Sequence, residues 1–495
     1  MKDNLTQRRD LARGGMVSFL GSATSALLGF VLTIVFSRLL GADGAGVIFQ
    51  ATGVFAVVLA FAKLGLDSTA IYLLPRLKLD SPEKIRSTIT AFVLAALGAS
   101  LVLVGLLEVI APLLWSGVVS DVVRVLLVFV PVGALLLIAS AILRALGSVT
   151  EYVVVANVAL PALRPPLVAI AAVATGSVLV VAVAWALPLA LLVVVAGVLV
   201  SRHLGRVEAG NRGVAIPSRG QWRTIMGFAA PRTVSAGLEQ ALIWVDVLLV
   251  GWLVSDQAAG VYGGAARFIQ AGLVVDAALR VVVSPKFSSL LHQSKTEDVR
   301  DLYVTATMWL VLIASPAYVL LAVFSPVFLG LLGAEFVSGA AVLSILAVGM
   351  MLTFMAGNIH SLLIMSGRSG WAAINKAVVL TINVVGNLFA LPHYGILGAA
   401  VVWALSMLFD ALLAAVEVRI FLNIRAQFAE IVIPLLIVGA AFGIPSAIAV
   451  VVFGQSALAL FVAVVVGGIS WLAACRVFRS FVHLDGLVEM LRSRR

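Results

Sequence analysis

The sequence predicts an all-α, polytopic membrane protein with about fourteen transmembrane helices. Hydrophobic residues make up 62% of the 495-residue chain and charged residues only 11%, whereas soluble domains carry about 45–50% and about 25%. Long apolar stretches recur from Gly14 to Ala474, and about 20 such residues suffice to cross a bilayer core as a helix. Because lipid leaves no partner for free backbone groups, the spanning elements must be helices.

Breaks at polar, glycine and proline clusters define the predicted spans. The first apolar run is too long for a cleaved signal peptide, so we expect it to be retained as span one. Spans five, six and nine contain prolines, and twelve spans is the alternative if some of them do not cross fully. The spans lie near 15–37, 45–66, 87–112, 121–143, 152–174, 178–200, 224–253, 261–283, 302–332, 337–363, 371–391, 396–416, 430–453 and 456–474.

The basic residues indicate the orientation of the chain. If the amino terminus is inside, most Lys and Arg lie in cytoplasmic connections, and only Arg38 and Arg124 lie at the outer surface. We therefore expect both termini in the cytoplasm and a location in the cytoplasmic membrane. The net charge of +10 is explained by this topology and by contact with anionic membrane lipids, so no nucleic-acid partner is expected.

A sequence repeat predicts two lobes. The segment LLGADGAGVIFQATGVF, residues 39–55, resembles LVSDQAAGVYGGAARF, residues 253–268, and Ala45/Gly46 recur 214 residues later as Ala259/Gly260. Six spans separate the copies, so the pseudo-symmetric six-helix lobes share one orientation. The alternative is chance similarity between helices rich in small residues. The predicted divisions are an N-terminal lobe at 1–203, a cytoplasmic linker at 204–223, a C-terminal lobe at 224–418, and two further spans with a basic tail at 419–495.

Two segments near the amino terminus resemble a known family. FSRLLGADGAGVI, residues 36–48, and KLGLDSTAIYLLPRL, residues 63–77, are similar to the amino-terminal pattern of the polysaccharide branch of the multidrug/oligosaccharidyl-lipid/polysaccharide (MOP) transporter superfamily. The segment IMSGRSGWAAINKAVVLTINVVGNLFALPHYGILGAA, residues 364–400, matches a pattern found across the superfamily. The resemblance covers about residues 10–420, and the last two spans match nothing sharply.

The resemblance implies an oligosaccharide repeat-unit flippase that moves a lipid-linked oligosaccharide across the cytoplasmic membrane by alternating access. Two pseudo-symmetric lobes can rock about a central cavity within one chain, so a monomer is expected. A lipid II-type precursor flippase and a multidrug or organic-cation antiporter of the same superfamily are the alternatives. A membrane-embedded enzyme is disfavoured by the short outer connections, and no phosphate-binding loop for ATP is present. No cofactor or metal site is expected, because the only cysteine is Cys475 and the five histidines are scattered.

Charged side chains inside the predicted spans mark candidate sites, because burying one costs at least about 2.5–3.5 kcal/mol. Arg232, Glu239 and Asp246 recur every seven residues in span seven, so they share one helical stripe that must face inward. Arg267 and Asp276 lie in span eight. These charges either form ion pairs that lock helices together or line a substrate or ion pathway.

The candidate residues divide by the chemistry they offer. Arg164 lies in LPALRPPL, where the prolines predict a broken helix that exposes backbone polar groups to a cavity. Because a guanidinium can bind a phosphate through two hydrogen bonds, the candidates for the anionic headgroup of the cargo are Arg164, Arg232 and Arg267.

Three acids and two asparagines complete the predicted site. A coupling proton or sodium ion is predicted to bind Glu239, with Asp246 and Asp276 as further candidates. Asn383 and Asn387 could hydrogen-bond sugar hydroxyls, although interhelical hydrogen bonds explain such asparagines equally well.

Other spans carry polar residues for which no site is predicted. His360 and Asp410 each lie in a span with no obvious partner in the sequence. Pro75 and Pro285 are predicted to end spans two and eight.

Overall fold

Long apolar helices, interrupted at glycine positions and by short irregular turns, form the fold. The computed structural model describes residues 2–207, 216–424 and 428–478, and every regular element within these ranges is helical. The all-α prediction is therefore confirmed. The described chain divides into two units, Met1–Gly260 and Val261–Arg495. Residues 208–215 of the predicted linker and the predicted basic tail from residue 479 onward lie outside the described residues.

The first unit is built from nine helices and the start of a tenth in the described ranges. A 3₁₀ turn at Pro82–Lys84 precedes the third helix, and a π-helical segment at Val153–Ala159 precedes the seventh. The helices are α1 (Lys2–Ala62), α2 (Leu66–Asp80), α3 (Ile85–Leu114), α4 (Gly117–Leu127), α5 (Val130–Leu146), α6 (Val149–Tyr152), α7 (Leu160–Thr175), α8 (Val178–Val207), α9 (Arg219–Leu253) and α10 (Asp256–Gly272), which continues into the second unit.

Helix α9 packs along the second half of α1 through a stripe of two glycines and a tryptophan. Gly237, Trp244 and Gly251 recur every seven residues and face α1, where an added Cβ at Gly237 would overlap the ring of Phe61 and one at Gly251 would overlap the side chain of Gln50. This close approach places α9 in the first unit. The predicted lobe boundaries at 203 and 224 stay a prediction.

The two copies of the repeat contact each other within the first unit. An added Cβ at Gly46 would overlap the carbonyl oxygen of Asp256, and one at Gly260 would overlap that of Ala42. The two contacts are equivalent, because Ala42 and Gly46 precede Asp256 and Gly260 by the same 214 residues. Glycine is required at both positions for the backbones to approach this closely. The repeat is therefore a structural one.

The second unit contains the remaining helices of the described ranges. Its helices are α11 (Val274–His292), α12 (Thr296–Val323), α13 (Ser325–Gly330), α14 (Ala340–Phe354), α15 (Ile359–Met365), α16 (Ser369–Leu422), α17 (Phe428–Val438), α18 (Ile444–Phe453) and α19 (Ala457–Val477). A 3₁₀ turn at Ala334–Gly339 precedes α14, and a π-helical segment at Gly439–Gly443 joins α17 to α18. The core of this unit includes the buried side chains of Phe287, Tyr303 and Leu362.

The number of membrane spans follows from helix lengths. Within the described residues, ten helical runs are long and apolar enough to cross a membrane, and two bent helix pairs raise the number to twelve. Two of the runs, Met16–Asp80 and Gly370–Leu422, are 65 and 53 residues long, at least twice the length that a bilayer needs. Non-helical backbone at Gly41 and Gly395 divides them. Counted as two spans each, these runs bring the twelve to the predicted fourteen.

Two prolines do not end helices as predicted. Pro75 lies inside α2 and Pro285 inside α11, so neither proline ends a helix, and the membrane ends of spans two and eight stay a prediction. The chain breaks earlier, at Leu64 and Gly65, which both have positive φ, and at the junction of α10 with α11. Membrane helices tolerate an internal proline because neighbouring groups can satisfy the freed carbonyl oxygen.

Candidate functional site

Arg164 is held against an aromatic side chain of the neighbouring helix. Its guanidinium lies 3.8 Å from the centroid of the Trp185 ring, and its Nε donates to the Trp185 carbonyl oxygen at 3.1 Å. Trp185 is buried and contacts Phe55 edge to face. A cation over an indole face is stabilised by the ring quadrupole. The arginine is therefore held by the Trp185 ring and by the hydrogen bond of its Nε. Its two terminal nitrogens have no hydrogen-bond partner in the described residues.

The helix break expected at the prolines beside Arg164 lies elsewhere. Helix α7 continues through Pro165 and Pro166, so the expectation of a broken helix at those residues is wrong. The irregular backbone is the π-helical segment Val153–Ala159 one turn earlier. A π turn shifts the hydrogen-bond register and so absorbs distortion that the prolines introduce, and such turns are frequent at functional sites.

Arg232 and Glu239 form an open pair on α9. Arg232 Nε donates to Ser68 Oγ at 3.2 Å, and its Nη1 lies 4.0 Å from Glu239 Oε1. The two side chains are 47% and 54% exposed. Both therefore project away from the packed side of the helix and can reach a ligand.

The predicted charged stripe is present, but its burial changes along the helix. Asp246, one heptad beyond Glu239, is only 3% exposed. The stripe lies about 140° around the helix from the glycine stripe that contacts α1, since five residues separate Arg232 from Gly237. Packing on α1 thus turns Arg232 and Glu239 toward open space.

Arg267 and Asp276 lie near the break between α10 and α11. Arg267 Nη1 donates to Gln270 Oε1 at 2.9 Å, and Asp276 Oδ2 accepts from Arg280 Nη2 at 2.5 Å. Each contact joins residues three or four positions apart, so it stabilises one turn of helix. Arg280 is 58% exposed.

Asn383 and Asn387 are buried and bonded to each other. Asn387 Nδ2 donates to the carbonyl oxygen of Asn383 at 3.0 Å and to its Oδ1 at 3.1 Å. Both side chains are at most 1% exposed. A sugar hydroxyl can reach them only if α16 changes its packing, so these contacts favour the interpretation of the pair as structural.

The structure brings together three ionisable side chains that the sequence left apart. Asp410 Oδ2 lies 2.5 Å from Lys376 Nζ and 3.0 Å from His360 Nε2. The Asp410 side chain is 6% exposed, and the other two are each 28% exposed. His360 and Asp410 are therefore partners, and sequence reasoning missed the cluster because 34 or more residues separate its members from Asp410.

A second polar contact and a helix break surround this cluster. Asn375 Nδ2 donates to the buried Glu417 Oε2 at 2.7 Å, one heptad from Asp410. Helix α14 ends at Phe354 and α15 begins at Ile359, with Gly357 at φ 54° between them. Irregular backbone at membrane depth is tolerated only where it is buried in protein or lines a wet cavity. The cluster thus lies beside a backbone break, within the range predicted for span ten.

The chain matches a known family over more than half of its length. The family described as polysaccharide biosynthesis protein matches residues 11–291. The chain is also 27% identical, over 259 residues, to the probable low-salt glycan biosynthesis flippase Agl15 of Haloferax volcanii, with 51% of this chain and 53% of that protein covered. The match therefore spans about half the length of this curated relative.

Solved membrane transporters share the fold. The lipid II flippase MurJ in its inward closed conformation is similar with a TM-score of 0.72 at 14% identity, covering 95% of this chain and all of that one. An inward-facing multidrug resistance MATE family transporter of the MOP superfamily gives a TM-score of 0.64 at 16% identity, covering 82% of this chain and 98% of that chain. At these identities the likeness concerns the fold alone.

Proposed function

Since the chain belongs to the polysaccharide biosynthesis protein family, we propose that it is a flippase for a polyprenyl-(pyro)phosphate-linked oligosaccharide. Family membership confirms the resemblance to the polysaccharide branch of the MOP superfamily. The chain is a multi-pass membrane protein, and the three similar proteins named above are two flippases and a transporter. The proposed activity is therefore translocation without covalent chemistry on the cargo.

The observation that carries the proposal is the exposed Arg232–Glu239 pair inside a membrane-spanning helix. A charged side chain that faces lipid is strongly disfavoured, so a half-exposed pair at membrane depth indicates a water-filled cavity. An arginine in such a cavity matches the (pyro)phosphate through which a lipid-linked sugar is held. Glu239, 4.0 Å away, would neutralise the guanidinium when no cargo is bound.

The remaining predicted residues complete the proposed path. The headgroup would contact Arg164, Arg232 and Arg267, and the sugars would contact Asn383 and Asn387 after a change in the packing of α16. A coupling proton or sodium ion would bind among Glu239, Asp246 and Asp276. The ion pair of Asp276 with Arg280 at 2.5 Å and the burial of Asp246 also suit a purely structural role for these two acids.

We propose export from the inner to the outer leaflet of the cytoplasmic membrane by one chain acting as a monomer. Two lobes related by an axis along the membrane normal can alternate access to a central site. The basic residues place both termini in the cytoplasm. The sequence pattern and the family support this proposal.

Depletion of the protein in its native host tests the function. Lipid-linked oligosaccharide should accumulate on the inner leaflet, and wild-type protein supplied back should remove it. Arg232→Ala and Arg164→Ala at matched abundance should leave most of the accumulation in place. Arg124→Ala is the matched control, because Arg124 forms an exposed ion pair with Glu108 at 2.7 Å on α4 and α3, so it should restore export fully.

The alternatives give different outcomes in the same strain. Accumulation of a peptidoglycan-type precursor in place of the oligosaccharide would identify the other lipid-linked cargo. No accumulation of either lipid on depletion would contradict the proposal and direct the next measurement to efflux of organic cations. If both arginine variants restore export fully, the flippase function stays supported, but the proposed contact of the headgroup with these arginines is contradicted.

A further inference from the structure

We propose that His360, held between Asp410 and the helix break before α15, is a proton-binding site that couples transport to a pH gradient. The coupling step rests on the proposed flippase function, whereas proton binding at His360 does not. None of the residues predicted from the sequence to bind a coupling ion belongs to this cluster, so in this proposal His360 takes the coupling role that was predicted for Glu239, Asp246 or Asp276.

The hydrogen bonds define how the histidine is held. Asp410 is an acceptor, so the 3.0 Å contact assigns a proton to His360 Nε2. The other ring nitrogen, Nδ1, is buried and has no hydrogen-bond partner in the described part of the chain. A buried acceptor without a partner is costly. A proton that binds there forms an N–H bond and converts the ring to imidazolium, while no other bond breaks.

A hydrogen-bond acceptor lies close in the sequence to the site of protonation. Asn358, two residues before His360, is 4% exposed, and neither its Nδ2 nor its Oδ1 has a partner within the described ranges. Asp410 Oδ1 is likewise buried without a partner. Such unsatisfied polar atoms are rare in a packed interior and indicate a site that is completed in another protonation or conformational state.

The cluster suits a proton better than a sodium ion. The cluster contains one carboxylate, and the Lys376 ammonium lies 2.5 Å from its Oδ2, so few oxygen atoms are left to coordinate a metal ion. Two of the three side chains present nitrogen, and sodium prefers several oxygen ligands. Histidine is also the side chain whose ordinary pKa, about 6.5, lies in the physiological range.

Other charged groups near the site are already paired or lie outside it. Helix α15 packs on α16 and α11. On α16, the Glu417 carboxylate accepts a hydrogen bond from Asn375. On α12, the Tyr303 hydroxyl donates to the Ala356 carbonyl oxygen at 2.8 Å. The titratable side chains of α11 are Asp276, Arg280, Lys286 and His292, and within the described residues none of them makes an ion pair with the cluster.

Protonation would change how three helical segments are held together. His360 belongs to α15, while Lys376 and Asp410 belong to the parts of α16 before and after Gly395. With the neutral ring, Asp410 balances Lys376 alone. With the imidazolium, one carboxylate faces two cations, so the contact with Lys376 weakens. A proton can therefore bias the packing of α15 against both parts of α16.

Proton binding is measured first, without any cargo. Purified full-length protein with ¹³Cε1-labelled histidine is titrated in nanodiscs, and the His360 signal is the one of five that His360→Gln removes. The signal is recorded from about pH 5 to about pH 8, where histidine is the side chain that ordinarily changes charge, and the proposal requires that it shift as a proton binds. A His360 signal that stays constant across this range would overturn the proposal.

Coupling is measured in sodium-free proteoliposomes that contain an NBD-labelled polyprenyl diphosphate disaccharide, whose outer-leaflet fraction is read by dithionite quenching. For one proton per cycle, a gradient of one pH unit should shift the leaflet ratio about tenfold. His360→Gln should exchange the probe between leaflets without responding to the gradient. His393→Gln is the matched control, because His393 lies just before Gly395 and its contacts, with the Phe389 carbonyl oxygen and the Tyr394 ring, are within its own helix.

The outcomes separate this inference from the flippase proposal. A gradient response that His360→Gln keeps in full would overturn the inference while supporting the flippase. A wild-type protein that never moves the probe, yet shows the His360 titration, would contradict the flippase function and support the proton site. Transport that needs sodium and ignores pH would overturn the coupling step.

Discussion

Buried charges in this chain are stabilised by partners that are close in space and distant in sequence. Asp410 is 6% exposed, and a carboxylate in such an environment needs a cation or several hydrogen bonds to offset the loss of water. Lys376 supplies the cation and His360 a hydrogen bond. The ion pair is therefore expected to matter more for stability than an exposed pair of the same length.

Replacing Lys376 should show how much a buried Asp410 carboxylate without a counter-charge destabilises the fold. We expect Lys376→Met to lower the free energy of unfolding by about 3 kcal/mol, because Asp410 then lacks its cation. The double variant Lys376→Met with Asp410→Asn should recover much of that loss, since the neutral amide needs no counter-charge. Thermal unfolding of the detergent-purified protein, followed by size-exclusion fluorescence, measures both.

The control for this pair is an exposed lysine. Lys295→Met, at the exposed amino end of α12, should change the free energy of unfolding by no more than about 0.5 kcal/mol. If Lys376→Met is as mild as this control, or if the double variant is no better than the single one, then the pair does not stabilise the fold.

At the scale of helices, two glycines divide the longest helical runs. Gly41 has φ 70° and ψ −174°, and Gly395 has φ 56° and ψ −146°. Backbone with positive φ and ψ near ±180° is accessible almost only to glycine. These two residues therefore let one chain segment leave the membrane and enter it again with almost no loop.

Replacing Gly395 should cost stability through its backbone rather than through packing. No heavy atom lies within 4 Å of a Cβ added there, so the expected loss of about 1–3 kcal/mol for Gly395→Ala comes from forbidden φ and ψ alone. Gly370→Ala is the control on the same helix, since it also has open space but no positive φ, and it should be neutral or stabilising by up to about 1 kcal/mol. Equal effects in thermal unfolding would contradict the backbone argument.

Composition and spacing were enough to predict the spans, but not the irregular turns within them. Each predicted span corresponds to described helix because about twenty consecutive apolar residues have few alternatives to a helix in lipid. The π-helical segment at Val153–Ala159 and the break at Leu64–Gly65 were not predicted. Their positions depend on tertiary packing, such as Val153 filling the space at Gly21, which no local pattern encodes.

At the scale of the molecule, the repeat was predictable because corresponding residues of its two copies make equivalent backbone contacts. Gly46 and Gly260 allow equivalent backbone contacts 214 residues apart, so the sequence retains both. The polar site was only partly predictable. The heptad spacing of Arg232, Glu239 and Asp246 predicted that they share one face of a helix. The cluster at His360 joins three helical segments that have no shared sequence pattern, so it was not predicted.

The orientation of the whole chain is tested by accessibility of single cysteines in a Cys475→Ser background. The positive-inside rule places the connection at Ser116 and that at Gln455 outside, and those at Glu83 and Lys295 inside; all four side chains are exposed. In intact cells a membrane-impermeant maleimide should label Ser116→Cys and Gln455→Cys, and it should label Glu83→Cys and Lys295→Cys only after permeabilisation. Because ten predicted spans, four to thirteen, lie between Ser116 and Gln455, agreement between them also requires an even number of crossings in this part of the chain. The reverse pattern would contradict the orientation, and opposite results for Ser116 and Gln455 would contradict the count of fourteen.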